Sequence, residues 1–128
     1  GDTCVHICFG YAALIHERPD NGYSFLPQLR DACCHQISIE TAQSGLDCSV
    51  LTSLPKQTVL LGVLDLSTHD VETTDLIVER VERALPFIDK ERLVLAPDCG
   101  LKYLPRDVSR GKLDAMVAAA KVLRERYG

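Results

Sequence analysis

Four short apolar runs, each followed by a stretch with a helical period, set narrow limits on how this chain can fold. They are Thr3–Phe9 (TCVHICF), Gln36–Glu40 (QISIE), Thr58–Leu66 (TVLLGVLDL) and Leu93–Cys99 (LVLAPDC). All are rich in β-branched residues and bounded by turn residues, the signature of strands. Helices are predicted over Phe25–Cys34, Leu46–Leu54 and Asp70–Leu85, with a last one over Asp107–Tyr127. Within Asp70–Leu85, Ile77, Val81 and Leu85 recur every fourth residue, and Glu79, Arg80, Glu82 and Arg83 take the wet side. The last helix carries Leu113, Met116, Val117, Ala120, Leu123 and Tyr127 on one stripe, read as core packing. His16–Ser24, with its Pro-Asp-Asn-Gly run, reads as a loop.

Near-continuous apolar strands that alternate with helices belong in a parallel sheet with right-handed crossovers. The α/β order β-α-β-α-β-α-β-α fits either an open doubly wound sheet or part of a (β/α)8 barrel. A barrel of eight units averages about 250 residues. Four units in 128 residues come close to half of that. The first strand runs into Phe9-Gly10-Tyr11-Ala12, which lacks the glycine-rich fingerprint of a dinucleotide site.

The net charge is −4 and 46% of residues are apolar, an ordinary composition that sets aside disorder, collagen and coiled coil. No apolar run approaches the roughly 18–20 residues that cross a bilayer, so no membrane partner is expected. Lys and Arg are outnumbered and scattered, and Trp is absent, which argues against nucleic acid. No secretion signal places the six cysteines in an oxidising compartment, and a cytoplasmic location is expected. No CxxC pair is present, and Cys33, Cys34 and Cys48 read as small buried hydrophobes. The chain begins at Gly1 and enters an apolar run within five residues, so it reads as a piece of something longer.

In parallel α/β folds the loops after the strands open on one face, and chemistry gathers at the carboxyl ends of the strands. Those ends hold His6 and Cys8, then Glu40, then Asp65, then Asp98 and Cys99. His6 and Cys8 are two apart on a strand and project to the same face. With Glu40 and Cys99 they make a candidate set of one nitrogen, two sulfurs and one oxygen. Such a set suits Zn²⁺, which accepts imidazole, thiolate and carboxylate in tetrahedral geometry. Taken singly, each has an ordinary role as well: a satisfied core histidine, a packing cysteine, a carboxylate that caps the next helix.

The same residues carry a resemblance. His6-x-Cys8, Ile37-Ser38-Ile39-Glu40, Gly62-Val63-x-Asp65 and Ala96-Pro97-Asp98-Cys99-Gly100-Leu101-Lys102 occur in order. A closing helix with KLDAMVAAAKVLR follows them. The chain thereby resembles the C-terminal half of the catalytic barrel of the cobalamin-independent methionine synthase family. The resemblance implies that residues 1–128 form a single zinc-site half-barrel with His6, Cys8, Glu40 and Cys99 as ligands. It implies transfer of a methyl group to the thiol of homocysteine, from a folate or, in divergent relatives, a corrinoid protein. Transfer of another alkyl group such as an opened epoxide, or a non-catalytic metal-binding half-barrel, are the alternatives. Two thiolates and a carboxylate around Zn²⁺ leave a formal charge of −1, which keeps a bound substrate sulfur electron-rich. The family's proton-donating histidine soon after G-V-x-D falls on Ser67 here, so either His69 substitutes as the acid or the donor needs no such proton, and Asp65 either contacts substrate or satisfies backbone at the strand end. Half a barrel leaves two sheet edges open, so the missing N-terminal half-barrel or self-association is expected to close it.

Overall fold

The computed structural model describes residues 1–10 and 23–128. The loop expected at 16–24 therefore lies outside the described residues as far as residue 22. Four strands, β1 (Cys4–Ile7), β2 (Gln36–Glu40), β3 (Thr58–Leu64) and β4 (Leu93–Pro97), form one sheet in the order β1-β2-β3-β4. Every pairing is parallel. Strand order follows chain order with no reversal, so the doubly wound alternative, which needs a switch point, does not apply to these strands.

Register turns the sequence alternation into rows across the sheet. Val5, Ile37, Val59 and Leu93 stand side by side, as do Ile7, Ile39, Leu61 and Leu95. Within these rows Ile37, Ile39, Val59 and Leu61 are fully buried, joined in one core by Ile77, Val78, Val81, Ala119 and Leu123 from the helices. His6, Ser38, Leu60 and Val94 form the row between them and point to the other face. That face carries the polar residues of the strand ends.

Three of the four helical segments are shorter than their periodicity predicts, each for an identifiable reason. The 25–34 segment yields only α1 (Leu26–Leu29), with proline in its first turn. The Gln57 side-chain amide then donates to the carbonyls of Leu29 and Arg30, where a longer helix would place its own N–H groups. The 46–54 segment is a 3₁₀ turn, Cys48–Ser53, capped by Asp47 through Ser49 N–H. Ser and Asp side chains there bond to neighbouring backbone and compete with an α-helix. In the 70–85 segment α2 covers Thr74–Glu82, because Thr73 takes the N-cap position and accepts from Leu76 N–H. Past α2, Pro86 sits inside a separate 3₁₀ turn, Leu85–Phe87. The last helix, α3 (Arg106–Tyr127), matches its periodicity closely.

Two packing expectations are corrected. The stripe on α3 is not core throughout: Val117 is 66% exposed, and Leu113 and Tyr127 are also exposed. Ala119, Leu123 and Lys112 are the buried positions of α3. Met116, Val117, Ala120 and Tyr127 instead line one wall of an open groove of about 540 Å³ beside β4. The stripe is continuous, but α3 is turned so that part of it faces where the next element of a sheet would lie. Cys33 is exposed and Cys34 half-buried at the end of an irregular segment, whereas Cys48 is buried.

Candidate metal centre

His6 is the last residue of β1 but one, and Cys8 follows just past the strand end. Cys99 lies two residues past Pro97, the end of β4. Though β2 and β3 separate these strands, the curvature of the sheet brings the three side chains together. One ligand atom from each of His6, Cys8 and Cys99 lies within 4.8 Å of the others. The two sulfurs are 3.8 Å apart, far beyond the about 2.05 Å of a disulfide. Two Zn–S bonds of about 2.3 Å at the tetrahedral angle would put sulfurs about 3.8 Å apart, so the pair fits that ion without rearrangement. His6 Nδ1 lies 2.9 Å from Ser38 Oγ, its neighbour in register. That hydrogen bond occupies Nδ1 and leaves Nε2 as the nitrogen available to an ion.

Glu40 is not a member of the 4.8 Å group. It ends β2 fully buried, and its charge is felt at Cys8. The Cys8 thiol is pushed above its ordinary value by burial first, against a backbone hydrogen bond from Gly10 that lowers it, with Cys99 and Glu40 adding to the rise. These are the electrostatics of a site that repels further negative charge. A divalent cation would reverse that balance.

Two side chains brace this rim, and strand pattern alone gave no sign of either role. Tyr23, buried and with φ at 62°, donates its hydroxyl to Ile7 O at 3.0 Å and accepts from Glu40 N–H at 2.6 Å. It ties the end of β1 to the end of β2, and burial pushes its phenol well up. Asp98, also fully buried, accepts from the N–H groups of Thr41 (3.2 Å), Ala42 (3.1 Å) and Gln43 (2.7 Å). Burial raises its carboxyl to about 6, against the three backbone donors that lower it, and Glu40 adds to the rise. Asp98 is visible in sequence as a polar residue at a strand end, but its backbone partners are 55 to 57 residues away and carry no local signal.

The loop after β3 is built differently. Asp65 Oδ1 accepts from Ser67 N–H and Oγ, an Asx-type turn that occupies this oxygen locally. His69 is exposed on the same loop and is not part of the three-residue group. Beneath the loop Lys112, fully buried on α3, donates to Asp65 O, Asp70 O and Glu72 Oε2. Glu72 Oε1 accepts from Asp65 N–H and from Arg80.

No helix among the described residues is long and apolar enough to cross a membrane. Residues 19–122 match the family described as cobalamin-independent synthase, catalytic domain. The chain is 30% identical over 122 residues to a methionine synthase of Pyrococcus abyssi, and 28% identical over 121 residues to one of Thermococcus kodakarensis. Each alignment covers 94% of this chain and 33% of the relative, so the chain spans about a third of their length. A B12-independent methionine synthase from a Shewanella species, solved in complex with selenomethionine, superposes with a TM-score of 0.85 at 29% identity. That match covers 98% of this chain and 39% of the other. A four-stranded parallel sheet of this order, matched at this level to part of such a barrel enzyme, places the chain in the catalytic-domain family of the cobalamin-independent methionine synthases.

Proposed function

We propose that the protein carrying this chain methylates the thiol of homocysteine at a zinc centre held by His6, Cys8, Cys99 and Glu40. The observation that carries this reading is the convergence of His6, Cys8 and Cys99 at one rim, with a sulfur–sulfur distance that suits tetrahedral Zn²⁺. Zinc in that position supplies the pKa depression that presents an incoming thiol, ordinarily near 8.5, as a thiolate. The remaining work falls to the chain. Ser38 holds the His6 ring in one orientation, and Tyr23 fixes the ends of β1 and β2 against each other. Glu40 sits beside the three-residue group and would be the hard oxygen donor among softer ones, the one with the weakest hold on a borderline-soft ion. His69, exposed on the loop after β3, is the candidate to protonate the leaving group of a folate donor; a corrinoid donor needs no such proton. Asp65 shapes that loop through Ser67 and offers its other oxygen to substrate. The contacts that select the amino acid and the methyl donor belong to the rest of the barrel.

Elemental analysis of the purified protein tests the centre: about one zinc per chain is expected, lost on chelation. X-ray absorption at the zinc edge then tests function, because homocysteine should add a sulfur neighbour and remove a light one. A protein that binds no zinc, or whose zinc environment ignores the thiol, overturns the reading.

A further inference from the structure

Asp98, just past the end of β4, bonds directly to the chain leaving β2. It reaches over β3 to do so, and the crossing depends on Gly62. A methyl group on Gly62 would come within 2.8 Å of both Asp98 Cα and Ile39 O, so any larger residue would push the two strand ends apart. Thr41 Oγ donates to Gly62 O at 2.6 Å and pins the middle of the crossing. Asp98 neighbours Cys99, and its first backbone partner, Thr41, neighbours Glu40. The tie therefore joins the residues adjacent to two of the four proposed donors, which lie on strands that do not pair with each other. An acceptor-only carboxylate is required, because three N–H groups converge on it and an amide would set donor against donor.

We propose that Asp98 is a positioning residue for the metal centre: its grip on the backbone of 41–43, across Gly62, sets the separation of Cys99 from Glu40. This rests on the zinc reading above. In outer-shell positions of this kind, loss of the partner weakens metal binding by roughly 10- to 100-fold.

The test measures zinc affinity by chelator competition, and the visible absorption of the Co²⁺-substituted protein, in the protein carrying this chain. Asp98→Asn is expected to bind zinc at least roughly tenfold more weakly and to lose part of the tetrahedral Co²⁺ absorption. Lys112→Met, buried under the neighbouring loop and bonded to Asp65 O, Asp70 O and Glu72 rather than to Asp98 or residues 41–43, serves as the control for lost stability and should keep both. If Asp98→Asn does not fold, Thr41→Val removes only the hydroxyl bond to Gly62 and should still weaken zinc several-fold. Unchanged affinity and spectrum in the folded Asp98→Asn or Thr41→Val variant, or an equal loss in Lys112→Met, overturns the positioning role and leaves the zinc reading standing. A wild-type protein without zinc overturns both.

Discussion

Cys8, Cys99 and Glu40 differ in what they lose on substitution, and the difference follows from donor chemistry. Thiolates form the more covalent bonds to a borderline-soft ion, and the two sulfurs already stand at the spacing that ion requires. Glu40 lies outside the three-residue group and is the oxygen donor of the proposed set. Zinc retention during dialysis against a chelator should therefore fall far more in Cys8→Ser and Cys99→Ser than in Glu40→Gln, by roughly tenfold or more. Equal losses in all three would make Glu40 a fixed ligand and remove the site's exchangeable position. The strand-end placement of His6, Cys8 and Cys99 was legible in the sequence, because strand ends and i, i+2 spacing can be read locally. Ser38 against His6 was not, since that contact depends on the register of β1 against β2, and register is a long-range property. Tyr23 was hidden for a second reason: its left-handed φ of 62° turns it back under the strand ends, from a stretch whose composition announces only a loop.

At the scale of elements, the sequence conveyed the strands and α3 well and the short helices poorly. Apolar periodicity reports burial, and a 3₁₀ turn or a single helical turn can bury the same residues. What decided between them were side-chain bonds from distant segments, such as Gln57 to Leu29 and Arg30. Lys112, a charged residue that periodicity alone would place in solvent, is fully buried, held by Asp65 O, Asp70 O and Glu72. Glu72 is the hinge of this cluster, paired with Lys112 at 2.9 Å and Arg80 at 3.2 Å. Removing it strands a buried cation, so Glu72→Ala should cost about 3–5 kcal/mol in urea unfolding. Arg110→Ala, which breaks an exposed pair with Asp114, should cost no more than about 0.5 kcal/mol. Near-equal effects would mean that the cluster is no better than a surface pair. The far end of α3 is tied to α2 through Glu82, whose carboxylate accepts from Arg126 and the Tyr127 hydroxyl at 2.8 Å each. Those bonds, Tyr127 first, hold the Glu82 carboxyl below its ordinary value. A depressed acid stabilises the fold above its unfolded pKa and ceases to as pH falls through the lower folded value. The Tyr127 ring resonances should therefore shift on acidification with a midpoint below the usual glutamate range, and Glu82→Gln should abolish the step.

The whole molecule has two unlike margins. Among the described residues β1 pairs only with β2, and its residues Cys4, Val5 and His6 are exposed. β4 pairs, among the described residues, only with β3, and beside it Val94, Val117 and Tyr127 stand exposed along the groove of about 540 Å³. Unpaired parallel edges present rows of unsatisfied N–H and C=O groups, and an apolar wall next to one adds a hydrophobic incentive to cover it. In the similar Shewanella enzyme the matched region is 39% of a longer chain, and a sheet closed into a full barrel has no open edge. The 128 residues produced alone should therefore self-associate, with a weight-average mass in sedimentation that rises with concentration. Val117→Lys places a charge in the groove wall without touching the sheet and should shift the population towards monomer. The same substitution should leave unfolding free energy of the monomer nearly unchanged, because Val117 is 66% exposed and gives up little buried area. A species that stays monomeric at all concentrations would mean that the twist of the sheet already shields both margins, and that closure by further strands is not what holds the His6, Cys8 and Cys99 cluster in place.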